Sequence, residues 1–185
     1  RNKVGIFPSL GLGWVLSEEN FLANVEAINF LKLRASYGIN GNLTDRYSSL
    51  ARISSGGGNQ YLFGDGGSTV NGQRVASLAN PNLSWERTVG INVGVDFTLL
   101  DRRLSGSVDY YQSSTTDLLW DFVLPEITGF QQIRSNVGEI SNTGLEMLVN
   151  ASAVRGTNFS WDIQANFATN TNRIESLLGL DRDGD

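Results

Sequence analysis

The chain has 185 residues, with 14 Lys and Arg, 19 Asp and Glu, no His and no Cys, and a net charge of −5. Without Cys it forms no disulfide or thiolate metal site, and without His it lacks the commonest general base and metal ligand. The negative balance argues against a nucleic-acid partner. No run approaches the ~18 apolar residues of a transmembrane helix, which leaves spanning strands open because those are only half apolar. The first residue is Arg1 rather than Met, so the expectation is a fragment.

In chain order, the first predicted strand runs from Lys3 to Leu16, with Val4, Ile6, Leu10, Leu12 and Trp14 on one face. Pro8 lies inside it and predicts a bulge or distorted pairing. Ser17 stands where a short helical connection could be capped. The second strand covers Asn29 to Ile39, with Leu31, Leu33, Ala35 and Tyr37 set against Lys32, Arg34 and Ser36. Residues 40–84 are rich in Gly, Ser and Asn and read as a long, mostly irregular loop. Its Gly56-Gly57-Gly58 lacks the Gly-Lys-Ser or Gly-Lys-Thr ending of a phosphate-binding loop.

The clearest alternation runs from Trp85 to Tyr111. Trp85, Arg87, Val89, Ile91, Val93, Val95 and Phe97 share one face, all but Arg87 apolar or aromatic, and Glu86, Thr88, Gly90, Asn92, Gly94, Asp96 and Thr98 share the other. After a tight turn at 100–103, Leu104, Val108 and Tyr110 oppose Ser105, Ser107, Asp109 and Tyr111. Residues 117–141 form a second long connection. A fifth strand, Asn142 to Val154, sets Leu145, Met147 and Val149 against Glu146 and Asn150. A turn at 155–158 leads to a sixth strand from Phe159 to about Arg173. There Phe159, Trp161, Ile163, Ala165 and Phe167 oppose Ser160, Asp162, Gln164 and Asn166.

Long connections follow the second and fourth strands, and shorter ones follow the first, third and fifth. This parity puts the long loops at one end, as in transmembrane β-barrels with their short periplasmic turns and long extracellular loops. The strands reach the ~9–11 residues that cross a bilayer at a tilt. Their polar face carries Ser, Thr, Asn, Gly and Asp rather than the Lys and Glu of a water-facing sheet. The fold class expected is therefore all-β, an antiparallel up-and-down segment of a transmembrane barrel with about six long strands. The alternative is a soluble carbohydrate-binding β-sandwich whose apolar face is an ordinary core.

Five strings point further. They are Gly5-Ile6-Phe7-Pro8-Ser9 with Gly13-Trp14 and Ser17-Glu18-Glu19; Leu31 to Gly38 with Asn40-Gly41-Asn42; Asn80-Pro81-Asn82-Leu83-Ser84-Trp85-Glu86; Asp109-Tyr110-Tyr111; and Asn136-Val137-Gly138-Glu139 with Asn142-Thr143-Gly144-Leu145-Glu146. In this order they resemble the SusC/RagA family of TonB-linked outer-membrane proteins of Bacteroidota. The resemblance covers nearly the whole chain and places it as a fragment of the C-terminal half of such a barrel. It implies a 22-stranded barrel, an N-terminal plug, coupling to TonB through a TonB box outside this chain, and a SusD-like lipoprotein lid. It also implies outer-membrane lipid as surroundings and oligosaccharide or peptide as cargo. The carboxypeptidase-like N-terminal domain and the final strands fall outside the matched part.

On this reading Trp85, Val89, Ile91, Val93, Val95, Phe97, Leu145, Val149, Phe159, Trp161, Ile163 and Phe167 face lipid. Trp85, Trp161, Tyr110 and Phe159 are expected near strand ends, in the interfacial girdles. Asp96, Asp109, Tyr111, Glu146, Asp162, Gln164 and Asn166 are expected to face the lumen. The substrate- or partner-contact candidates are Asp109, Tyr111 and Glu146 on the wall and Tyr61, Phe63, Trp120 and Phe130 in the loops. No cofactor or metal is expected. Glu18 with Glu19, or Asp162 with Glu146, are the carboxylate pairs that glycoside hydrolysis would use, but no base, nucleophile or metal set accompanies them. Asp181-Arg182-Asp183-Gly184-Asp185 lacks the spacing and terminal Glu of a calcium loop. The sequons at Asn42, Asn82 and Asn158 carry no weight in a bacterial protein.

Overall fold

The computed structural model describes residues 4–43, 47–62, 64, 66–177, 180 and 181. Its strands are β1 (Ser9–Val15), β2 (Ile28–Asn42), β3 (Arg52–Leu62), β4 (Thr69–Ser77), β5 (Glu86–Leu99), β6 (Leu104–Thr116), β7 (Leu119–Val123), β8 (Gln132–Asn136), β9 (Gly138–Arg155), β10 (Ser160–Leu177) and β11 (Leu180–Asp181). The main sheet has the order β1-β2-β5-β6-β9-β10-β11, and β3–β4 and β7–β8 are separate hairpins. Every pairing is antiparallel. The six expected strands are β1, β2, β5, β6, β9 and β10, and the two-residue β11 is added at the edge.

Several boundaries differ from the sequence expectation. Pro8 is not inside a strand: pairing starts at Ser9, because Pro8 has no N–H to give, and its carbonyl accepts the Ile39 N–H at 3.0 Å. Ser17 is not a cap, since Leu16–Glu18 is a single 3-10 turn whose N-terminus carries no side-chain hydrogen bond. Residues 40–84 are not mostly irregular, because β3 and β4 pair within them. There the Gly-rich stretch is a bulge, with residues 56–59 lying against Gly72 alone and Gly56 taking φ +110°.

Register fixes the two faces of the main sheet. Leu12, Ala35, Val93, Tyr110 and Leu145 stand level on one side. The next row is Trp14, Leu33, Val95, Val108, Met147 and Phe167. The one below is Leu31, Phe97, Gly106, Val149 and Ala165. Phe97 lies over Gly106, where an added Cβ would sit 2.9 Å from its ring, so the glycine gap is filled by a neighbouring aromatic. Nothing among the described residues forms a second layer over this side. Ile91, Val93 and Phe167 remain 46%, 48% and 52% exposed. A β-sandwich would bury them between two sheets, so that alternative lacks its second sheet here.

The upper edge of the apolar band runs diagonally. Ile39, Val89, Ser114, Ser141 and Arg173 are level across β2, β5, β6, β9 and β10. The first two are apolar and the last three are not. On β10 the highest large apolar side chain of this face is Phe167, six positions before Arg173. The lower edge is nearly level instead: past the bulge between Ile28 and Phe30, Ile28 joins Leu99, Leu104, Ala151 and Ile163 in one row, and Trp161 extends it by a single step on β10. Across the final step Trp161 pairs with Val154 while Asp162 pairs with Ser152. The bulge at Ala153 turns Val154 onto the apolar side.

At the lower end the β5–β6 turn carries Leu100, Asp101 and Arg102 at φ +56°, +54° and +62°. None is Gly, so each costs backbone strain. Arg155 supports this turn from the next hairpin, donating to the carbonyls of Asp101 at 3.2 Å and Arg102 at 2.7 Å. The Ser152 N–H donates to the Arg103 carbonyl at 2.7 Å. Replacing Arg155 with Ala should lower stability by about 1 kcal/mol, since exposed hydrogen bonds of a charged donor are lost. The check is the denaturant midpoint of the whole protein, with Arg155→Lys, which cannot reach both carbonyls in one plane, falling between.

Candidate functional site

The polar face is organised by one guanidinium. Gly13, Arg34, Gly94, Asp109, Glu146 and Ala168 are level across six strands. Arg34 on β2 donates Nε to Asp96 Oδ2 at 2.8 Å and Nη2 to Asp96 Oδ1 at 2.9 Å. The same Nη2 reaches over β5 to Asp109 on β6, at 3.0 and 3.1 Å. The reach depends on Gly94, which stands between them. A Cβ there would sit 2.9 Å from Arg34 Nη2 and closer still to Asp109 Oδ1. The Asp109 side chain is 18% exposed against 35% for Arg34, so the acid is the more enclosed partner.

One row above, Tyr111 lies across Gly144, filling the space a side chain would need. Around this centre the face is lined with amides: Asn92, Asn150, Gln164, Asn166 and Asn170 fall on it by register. Asn172 Nδ2 donates to Asn142 Oδ1 at 3.2 Å. Such groups offer donors and acceptors together and hold no net charge.

The structure therefore brings Asp109, Tyr111 and Glu146 together on adjoining rows, with Asp109 directly opposite Glu146. It does not bring the loop aromatics to them. Tyr61 lies on β3 against Gly72, Trp120 is exposed on β7, and Phe130 is half-buried beyond the tip of the β7–β8 hairpin. Phe63 lies outside the described residues. Asp162 and Glu146 are not a pair. Asp162 stands opposite Ser152, six residues along β9 from Glu146, or about 20 Å at strand spacing. Glycoside hydrolysis needs its two carboxyls within about 10 Å. Glu19 accepts the Trp14 indole N–H at 2.8 Å. Of the calcium-like run only Asp181 falls among the described residues.

The apolar candidates Val89, Ile91, Val93, Val95, Phe97, Leu145, Val149, Ile163 and Phe167 all occupy the apolar face by register. Trp161 stands at its lower end opposite Val154, and Phe159 in the turn before β10. Trp85 precedes β5 at the upper end, its ring 5.5 Å from that of Phe7 at a 58° tilt. Tyr110 departs from the expectation: it is at the middle of β6, not near a strand end. The sequence reading missed the Arg34 bridge. Its only signal there was that Arg34, Asp96 and Asp109 fall on one face.

A family model described as TonB dependent receptor-like, beta-barrel matches residues 1–184. The chain belongs to the TonB-dependent receptor family. TonB-dependent receptor P39 of Formosa agariphila is 41% identical over 181 residues, covering 97% of this chain and 16% of that protein. TonB-dependent receptor SusC of Bacteroides thetaiotaomicron is 39% identical over 184 residues, covering 97% of this chain and 18% of that protein. Among solved structures, the RagAB peptide importer in its closed-closed state superposes with a TM-score of 0.80 at 28% identity, over 93% of this chain and 18% of that one. The chain thus spans less than a fifth of the relatives it matches, and it is a segment of an antiparallel barrel of this family.

Two outcomes test the geometry. Gly94→Ala should force Arg34 away from Asp109 and lower the stability of the full-length receptor by about 1–3 kcal/mol, the usual range for overpacking. Thermal unfolding in detergent checks it, with Gly90→Ala, where an added Cβ meets open space, as the mild control. On the β7–β8 hairpin, Asp121 and Arg134 are directly paired across the ladder. The Arg134 hydrogen bond and charge hold the Asp121 carboxyl below its ordinary 3.8. The depressed value means the pair stabilises the hairpin fully above that ordinary value and less as pH falls through the lowered one. A nitroxide at residue 123 should gain mobility between pH 5 and pH 2, roughly the window in which carboxylates protonate, and Asp121→Asn should be mobile throughout.

Proposed function

We propose that this chain is part of the barrel wall of an outer-membrane TonB-dependent importer, with its apolar face against lipid and its polar face lining the lumen. The diagonal upper edge of the apolar band carries the reading. That edge falls by six residues, about 20 Å, across four strand spacings, about 19 Å. That slope corresponds to strands tilted about 45° to a flat apolar slab, the tilt that lets a strand cross a bilayer. A core packed inside a soluble domain has no reason to follow a plane at that angle.

In this placement the end with the β3–β4 and β7–β8 hairpins faces outward, as loops 40–84 and 117–141, and the turns at 100–103 and 155–158 face the periplasm. Trp161 and Phe159 lie at the inner interface and Trp85 at the outer one. Gln112 and Thr143, just above Tyr110 and Leu145, mark where the wall leaves hydrocarbon. The cargo is an oligosaccharide or a peptide, passing a lumen whose amides and acids hydrogen-bond without strong net charge. Asp109, Tyr111 and Glu146 line that path. Tyr61 and Trp120, both exposed, and the half-buried Phe130 stand where cargo or a SusD-like lipoprotein arrives, and aromatics favour such contacts; Phe63 is a candidate for the same role on its sequence alone. TonB acts through a segment outside this chain. The part assigned to the chain is transport and not catalysis, because its acids serve as a wall.

The test places single cysteines at Val93 and Asn92 in the full-length receptor in cells. A fluorophore at Val93 should be quenched from within the lipid, whereas one at Asn92 should be reached only by an aqueous quencher. If Val93 is shielded from lipid and water alike, the wall reading is wrong.

A further inference from the structure

The upper end of the sheet holds a polar joint that the wall itself does not require. Asn136 closes β8. Its Oδ1 accepts the Ser84 N–H at 2.9 Å, and its Nδ2 donates to the Asp117 carbonyl at 2.7 Å and the Ser84 carbonyl at 3.2 Å. One carboxamide thereby ties three segments: the run before β5, the entry to β7 and the end of β8. The orientation is fixed by chemistry, since a flipped amide would point donors at the Ser84 N–H and an acceptor at two carbonyls.

Asn80 completes the joint from the other side. Its Nδ2 donates to the Arg134 carbonyl at 2.8 Å, its Oδ1 accepts the Asn82 N–H at 3.1 Å, and its own N–H donates to the Ser49 carbonyl at 3.1 Å. Glu86, the first residue of β5, accepts the Leu119 N–H at 3.4 Å. Leu83 and Ser49 are 5% and 6% exposed, so packing here is tight although most of the sheet is open. The β3–β4 hairpin enters from Ser49 and returns to Asn80, and the β7–β8 hairpin leaves from Asp117 and returns to Asn136. Both therefore hang from the same cluster of side chains.

We infer that Asn136 is a positioning residue that locks the two hairpins into one body, so that β3–β4 and β7–β8 move together over the mouth of the barrel when cargo or a lid arrives. The inference rests on the wall reading only for which side the hairpins face. No other side chain serves as well at this site. Asp keeps the acceptor and loses both donations, and Leu has the shape and neither function.

The test uses the full-length receptor in lipid nanodiscs, with nitroxides at Val70 on β4 and Val123 on β7, both exposed. Pulsed dipolar spectroscopy should give one narrow distance distribution in the otherwise unaltered protein. Asn136→Leu and Asn136→Asp should each broaden it at least twofold, while Thr128→Ala, which loses hydrogen bonds only at the far tip of the hairpin, should not. The barrel's melting temperature reports on folding. Asn136→Leu should leave it close to that of the parent, whereas Gly94→Ala should lower it without broadening the distance. A distribution unchanged in both Asn136 variants, or already broad in the parent, overturns the proposal. The distance reads the joint and the quenching at Val93 reads the wall, so either can fail without the other.

Discussion

A sheet with one apolar face has to cover that face with something. In this chain no second layer does so among the described residues, and the rest of the structure follows from that. The large side chains of the apolar face are not packed around a centre. They stand in rows on a single layer and, among the described residues, touch their neighbours in the sheet rather than an opposing layer. Phe97 over Gly106 shows the local consequence: without an opposing sheet to fill gaps, the wall fills them from within. The order of the sheet is equally constrained. β2, β5, β6 and β9 each pair with a strand on both sides, so their backbone groups are satisfied in the plane of the sheet, while β1 is an edge and β10 meets only the two-residue β11 on its outer side.

The polar face meets the opposite demand. It must carry charge and amide groups on a sheet whose other side is apolar. Arg34 meets the demand by holding two carboxylates from two further strands, and Gly94 leaves it the room. This pairing is partly exposed on every member, so its worth lies less in energy than in geometry. It stitches β2, β5 and β6 at mid-height, where the strands have no turn or loop to fix their stagger.

Much of this was legible in the sequence. Period-two alternation placed Val93 and Asn92 on opposite faces, and the apolar candidates on the strands fell on the face expected of them. Part of the register was legible as well. Residue numbers across an unbulged hairpin add to a constant, so once Leu99 and Leu104 close the turn, Gly94 must meet Asp109. What could not be read was the stagger of β2 against β5, because residues 43–85 intervene and their length does not determine it. The Arg34 bridge depends on that stagger. The β3–β4 hairpin was hidden for a different reason. Its strands are held by backbone pairing around a glycine bulge, with little alternation to betray them. Tyr110 misled as to its place in the strand: it is mid-strand in β6, yet it is the uppermost large side chain of its face there, because the edge of the apolar band cuts the strands obliquely.

The strings that carried the family resemblance have a physical meaning the sequence alone did not show. Asn80 to Glu86 and Asn136 to Glu139 are far apart in the chain, yet they meet at one place. Asn136 holds Ser84, Glu86 takes the Leu119 N–H, and Glu139 accepts the Ser114 hydroxyl at 3.1 Å. A lipid-facing position asks only for apolar bulk, which many side chains supply. A joint between wall and hairpin asks for a donor and an acceptor at set positions, which few supply. The distinctive residues therefore mark where the sheet is fastened to the two hairpins. The sequences of β3–β4 and β7–β8 can therefore vary while the attitude of both hairpins to the sheet is held by the same few polar side chains.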